Sequence, residues 1–307
     1  MNAEIIDGTA AAAELYEALA IGVKELASQD VSLGLATIVV GEDPRSLAYE
    51  ARVRRLAASL DVHYVNERLD AGIDLAGVLT TVDRLNRDTS ISGIVVLRPL
   101  PSQVDEAVVF GALDPLKDIE ALHPENAGLL ALGMPRYVPS TPSSCYHLLD
   151  TWLHHAGEDP ESFFERSTIV VVGRSNNVGR PAVALGLARR SVVISCDQYA
   201  SLTGRLGDYT RQGDVLIVAA GVPGLIGAEL VRPGAIVIDV GINPVHDPAS
   251  GKARFVGDVD FAGVSSRARA ITPVPGGVGP VTDVWLLQNA VSAARVISRA
   301  AREAAGR

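Results

Sequence analysis

Short runs of aliphatic and β-branched residues recur along this chain, each parted from the next by a segment patterned as helix. The clearest are LGLATIVVG (33–41), SGIVVLRPLP (92–101), STIVVVG (167–173), SVVISCD (191–197), GDVLIVAAG (213–221) and GAIVIDVGI (234–242). A strand that is apolar on every residue has to be covered on both faces, which is the condition of a parallel sheet flanked by helices. Strand and helix in alternation therefore predict an α/β fold. Helical spacing is read over 9–28, over the stretch around Tyr49, and over 74–87, with a shorter strand near DVHYVNERL. Residues 102–142 read as irregular, broken by scattered Pro and Gly. A helix is expected over 141–157, with Pro142 in its first turn and Thr141 or Ser140 as its cap, placed to join two lobes. The last strong pattern, VTDVWLLQNAVSAARVISRAAREAA, is a long amphipathic helix.

Composition narrows the partners. With 307 residues and 48% apolar content the chain can bury a sizeable core, and two domains are expected. A net charge of -9 with no long basic run argues against a nucleic-acid partner. The segment MNAEIIDGTA carries Glu4 and Asp7 where a secretory leader would be basic, and no apolar run approaches the ~20 residues needed to cross a bilayer. Cys145 and Cys196 show no CxxC spacing and suit a reducing compartment. A cytoplasmic protein with no membrane partner, no disulfide and no metal site is expected.

Three stretches carry chemistry. In VVVGRSNNVGRP (170–181) an apolar strand runs into a loop with Gly173 and Gly179, and Pro181 opens a helix whose N-terminal amides suit a phosphate. The loop is not GxGxxG, and such a unit also occurs with no nucleotide. Asp197 closes the next strand 24 residues after Gly173, the place of a carboxylate that accepts from a ribose 2′-hydroxyl, although a solvated loop residue would look the same. Arg174, beside the turn, instead suits a 2′-phosphate. In ITPVPGGVGPVT (271–282), three prolines and three glycines make a rigid loop that a flat ligand can approach closely. LRPLP puts Leu97, Arg98, Pro99 and Leu100 at the carboxyl edge of a parallel sheet, where open α/β folds bind ligands.

In order and spacing, GEDPRSLAYEARVRR, GIVVLRPLP, LKDIEALHPENAGLL, YVPSTP, VVVGRSNNVGRPAVAL, RPGAIVIDVGIN, FVGDVDF and TPVPGGVGPVTDVWLLQNAV resemble the successive blocks of the bifunctional methylenetetrahydrofolate dehydrogenase/methenyltetrahydrofolate cyclohydrolase family, from about residue 5 to 296. The resemblance implies two α/β domains. The first is an N-terminal substrate domain with a parallel sheet over 1–142, completed by the C-terminal helix 281–304; the second is a Rossmann-type NAD(P)-binding domain over 143–280. It implies a folate-like small-molecule substrate, a homodimer, and a nicotinamide cofactor held by Gly173, Arg174, Ser175, Val178, Gly179, Asp197, Gln198 and Ile242. It also implies a substrate site made by Tyr49, Leu97, Arg98, Pro99, Glu120, Pro275, Gly276, Gly277, Val278 and Gly279.

The catalytic positions depart from the family pattern. The family places a lysine four residues after the tyrosine, a glutamine at the end of the later strand and an aspartate on the pterin. Here the tyrosine is Tyr49, but the lysine position holds Val53, the glutamine position Leu97 and the aspartate position Glu120. Val53 can move no proton, and Val with Leu makes an apolar wall where one lost partner alone would leave a buried polar group unpaired. The expected activity is an NAD(P)-dependent methylenetetrahydrofolate dehydrogenase with doubtful cyclohydrolase activity, NAD favoured over NADP by Asp197. The alternatives are a relative recruited to a non-folate imine or one-carbon substrate, or an inert nucleotide-binding homologue.

Overall fold

The computed structural model describes residues 2–246 and 253–305. In chain order its elements are β1 (Glu4–Ile5), α1 (Gly8–Ser28), β2 (Gly34–Val40), α2 (Pro44–Ser59), β3 (His63–Leu69), α3 (Leu75–Arg87), β4 (Gly93–Val96), α4 (Glu106–Gly111), α5 (Pro124–Ala131) and α6 (Ser140–His155). There follow α7 (Pro160–Glu165), β5 (Thr168–Val172), α8 (Gly179–Ala188), β6 (Val192–Cys196), α9 (Gln198–Leu202), α10 (Leu206–Thr210), β7 (Val215–Val218), β8 (Ile236–Asp239), β9 (Asn243–His246), β10 (Ala253–Val256), α11 (Phe261–Ser265), β11 (Ala270–Ile271) and α12 (Val278–Ala305). The chain divides into two compact units, Glu14–Ser140 with Asp283–Arg307, and Met1–Ala13 with Thr141–Thr282.

The first unit is built on a parallel sheet in the order β3-β2-β4. Every residue of the central strand β2 is buried, which is why it reads as an apolar run broken only by Thr37, whose hydroxyl is bonded to that of Tyr64. Helix α2 starts where Asp43 accepts from the N–H groups of Arg45 and Ser46, both at 3.0 Å, with Pro44 pre-set in the first turn. Its buried residues are Ser46, Glu50, Val53 and Ala57, a stripe at helical spacing. Helix α3 buries Val78, Val82 and Leu85 against the same core as Ile38, Ile94 and Val96. Strand β4 stops at Val96, short of the expected 101, because Pro99 and Pro101 have no N–H to give the ladder. The supposedly irregular 102–142 contains α4 and α5, each begun by a side-chain cap, Asp105 and His123. Both are too short to show helical periodicity.

The second unit is a six-stranded parallel sheet, β1-β11-β8-β7-β5-β6, over a core that includes Val170, Val172, Leu216, Val218 and Val237. Strand β1 pairs with β11, so residues 1–13 belong with this sheet and not with the N-terminal lobe in which the sequence reading placed them. A two-residue strand carries too little pattern to announce its partner. Helix α6 begins at Ser140, so that residue is the first of the helix rather than its cap. Beside the sheet β9 and β10 form an antiparallel pair that periodicity did not announce.

Candidate functional site

Val53 has no accessible surface, and Leu97 is 7% exposed. Val53 lies on the core-facing stripe of α2, and Tyr49, one turn earlier, is only half-buried at its edge. The face that carries Tyr49 is thus part packing and part open. The ring of Tyr49 lies under the Arg52 guanidinium, whose Cζ is 5.3 Å from the ring centroid. Arg52 in turn donates from Nε to Asp283 Oδ2 of α12 at 2.9 Å. Burial raises the Tyr49 hydroxyl pKa well above its usual range; the Glu120 and Asp283 charges add to this, while a hydrogen bond with Ser140 opposes it. Tyr49 is therefore a fixed, protonated phenol.

Glu120 stands on the loop between α4 and α5, half-buried, its Oε1 accepting the backbone N–H of Ser140 at 3.1 Å. Burial pushes its carboxyl up to about 7; the Asp118 charge adds, and the Ser140 hydrogen bonds and the Arg98 charge oppose. Its loop is held hard. Asp118, buried, accepts from the N–H groups of Leu122 and His123 and from Asn126 Nδ2. Lys117 Nζ donates to the carbonyls of Leu85, Asn86 and Asp88 and so closes the end of α3. Asn289 Nδ2 of α12 donates to the Ile119 and Val138 carbonyls at 2.8 and 2.7 Å, gripping the chain just before Glu120 and just before Ser140. Arg98 turns toward α4, its guanidinium 3.9 Å from the Glu106 carboxylate and over the Phe110 ring, and Pro99 beside it is exposed.

In the second unit, β5 runs into the turn expected for a phosphate. Gly173 has φ +115°, and a Cβ there would collide with the Ala219 carbonyl; a Cβ on Gly179 would strike Gly173 itself. Helix α8 then starts with Val178 as an N-cap that makes no side-chain bond; Ser175 in the turn serves the first N–H groups instead, its carbonyl accepting from Arg180 N–H at 3.0 Å, and Pro181 has none to offer. Ser175 is exposed and accepts from Gly179 N–H at 3.4 Å. Arg174 donates to Asp197 Oδ2 at 2.8 Å and to the Ser195 carbonyl at 2.6 Å, while Asp197 Oδ1 caps α9 through Tyr199 N–H. Gln198 and Ile242 are exposed, Ile242 at 52%. Within 275–279, Pro275 is exposed, Gly276 has φ +103°, Gly277 and Val278 are buried, and Gly279 is half-buried at the head of α12. The Gly8 N–H donates to the Gly276 carbonyl and ties this loop to α1.

The structure thus brings Tyr49 and Glu120 together and puts Val53 and Leu97 in the interior. Sequence reasoning missed Ser140 as a partner of Glu120, the Arg52–Asp283 pair, and Asn289. It also missed Asp258, fully buried, whose Oδ2 accepts from Ala220 and Gly221 N–H and whose Oδ1 accepts from Asn243 Nδ2. None has a local motif, since each is defined by a partner far along the chain.

Two family models match: tetrahydrofolate dehydrogenase/cyclohydrolase, catalytic domain, over residues 6–120, and tetrahydrofolate dehydrogenase/cyclohydrolase, NAD(P)-binding domain, over 139–298. The chain is 58% identical over 303 residues to bifunctional protein FolD 2 of Rubrobacter xylanophilus, covering 98% of this chain and 95% of that protein. Among solved structures, it resembles the bifunctional FolD enzyme of Campylobacter jejuni with a TM-score of 0.86 at 36% identity, over 95% of this chain and 98% of that one. It resembles the Trypanosoma brucei FolD, solved with NADP cofactor and an inhibitor, with a TM-score of 0.88 at 33% identity, over 97% and 99% of the two chains. This chain belongs to the tetrahydrofolate dehydrogenase/cyclohydrolase family of NAD(P)-dependent oxidoreductases.

Proposed function

We propose that this chain is a methylenetetrahydrofolate dehydrogenase whose cyclohydrolase step is slow. The observation that carries this reading is the interior placement of Val53 and Leu97, at the positions where the family resemblance puts the lysine and glutamine, while the nucleotide turn and Tyr49 stay in place. Hydride transfer depends mainly on positioning two rings. The residues present fit a dinucleotide: Gly173 and Gly179 let the turn after β5 fold tightly against Ala219 and against the head of α8, and the positive end of the α8 dipole at that turn favours a pyrophosphate. A nicotinamide held there would supply the hydride acceptor for the one-carbon bridge of the folate. The chain's own part is to offer Tyr49 as a flat surface, steadied by Arg52, and Glu120 as an acceptor for the pterin.

NAD is the preferred cofactor in this reading, because Asp197 is at the ribose position and Arg174 is already committed to it. The protein works as a homodimer in the cytoplasm. The edge strand β6 with exposed Val192, and exposed Leu187 nearby in sequence, support a second copy; the buried free thiols of Cys145 and Cys196 support a reducing compartment. No helix among the described residues is long and apolar enough to cross a membrane. The test follows NAD(P)H formation with methylenetetrahydrofolate, and separately the decay of methenyltetrahydrofolate over its spontaneous rate. Dehydrogenase turnover with cyclohydrolase at least ~100-fold below it is expected, within the range that losing a lysine positioned for proton transfer costs; equal rates for both steps would overturn the reading.

A further inference from the structure

Building on the dehydrogenase reading, we propose that Glu120 moves the protons in the cyclohydrolase half-reaction that this chain retains, acting from the loop before α5 instead of from helix α2. The geometry selects it by elimination among the polar groups around Tyr49. Tyr49 itself is held as a protonated phenol. Arg52 and Arg98 carry guanidinium groups, which donate hydrogen bonds and accept none. Asp283 spends Oδ2 on Arg52, and its Oδ1 is sealed from solvent with no partner, so an attacking water cannot reach it. Lys117 is tied to three carbonyls at the end of α3. Among these described groups Glu120 remains: it is half-buried, it shares Ser140 with Tyr49 as a hydrogen-bond partner, and it is fixed there by the first N–H of α6.

The step balances with one carboxylate. As the water oxygen bonds to the methenyl carbon, its proton passes to Glu120. The bond from that carbon to the ring nitrogen then breaks with its electron pair on nitrogen, which takes the proton back from Glu120. The hydroxyl proton of the adduct leaves to solvent as the formyl carbonyl forms. The groups that face Glu120 and Tyr49 are Arg52 on α2, Arg98 after β4, Asp118 on the same loop and Asp283 on α12. Burial outweighs them and places the Glu120 carboxyl at about 7, where proton transfer in both directions is easy near neutral pH.

The experiment compares wild type, Glu120→Gln and Glu120→Asp at saturating substrate, with cofactor binding as the check on folding. Wild-type cyclohydrolase kcat should rise with pH through about 7. Glu120→Gln should lower cyclohydrolase kcat at least ~10-fold more than dehydrogenase kcat and abolish that rise; Glu120→Asp, which keeps a carboxylate, should keep the rise. Equal losses in both activities, a pH profile unchanged in Glu120→Gln, or no wild-type cyclohydrolase activity beside a working dehydrogenase would each overturn the role of Glu120. Absence of NAD(P)H formation by the wild type would instead overturn the dehydrogenase reading.

Discussion

Arg174 donates to Asp197 Oδ2 at 2.8 Å, so the two side chains with opposite preferences at a ribose 2′ position bind each other. An entering 2′-phosphate has to draw Arg174 away and then lie against a bare carboxylate. Asp197→Ser keeps a cap for α9 and frees Arg174. The ratio of NADP to NAD affinity should rise on the order of tenfold, the scale of one charge-assisted hydrogen bond. Cofactor titration by nucleotide fluorescence reads it, and an unchanged ratio would remove Asp197 from the choice.

Val53→Lys alone should restore little cyclohydrolase activity and lower stability. The position is fully buried, so the ammonium meets the apolar wall around it and loses its charge or forces the helix outward. Adding Leu97→Gln supplies an acceptor in the same interior. The double variant should exceed the sum of the singles, with a coupling of roughly 0.5 to 3 kcal/mol in a double-mutant cycle of methenyltetrahydrofolate hydrolysis rates. Strict additivity would show that the two positions do not meet.

Asn289→Ala should destabilise the protein by about 2 to 4 kcal/mol, since it strands the Ile119 and Val138 carbonyls that one amide now serves. Urea unfolding measures this. The same change releases the segments before Glu120 and Ser140, so KM for the folate should rise while cofactor affinity is kept. A destabilised variant with unchanged KM would confine Asn289 to packing.

Asp239, buried beneath the loop after β8, accepts from the N–H groups of Gly241, Asp258 and Val259, yet burial, aided by the Asp258 charge, pushes its carboxyl up to about 6. The value is raised on folding, so the folded protein binds the extra proton. This contribution is full below pH about 4, the unfolded value, and is lost as pH rises through about 6. Asp258→Asn takes away the neighbouring charge, and the fall in unfolding free energy between pH 4 and 6 should become shallower. Because Asp258 Oδ2 also holds the N–H groups of Ala220 and Gly221 at the carboxyl edge of β7, NAD(P) affinity should fall in the same variant.

The sequence by itself determined the strands and the turn. A run such as VLIV in β7 has no polar residue to show to water, so only a doubly covered parallel strand will take it. A glycine is needed at 173 because backbone from β7 passes too close for any side chain. Tyr49 and Glu120 were named as site positions through the family resemblance, not through any pattern of their own. The tertiary structure alone decided what those positions do. Whether Val53 looks into a pocket or into the core depends on how α2 rotates over β2, and the buried stripe of Ser46, Glu50, Val53 and Ala57 settles that rotation. The proton affinity of Glu120 comes from burial and from Ser140, 20 residues away, and the commitment of Arg174 to Asp197 from strands 23 residues apart. Desolvation and hydrogen bonding act through space over a few ångströms, and sequence separation carries no information about either until the chain is folded.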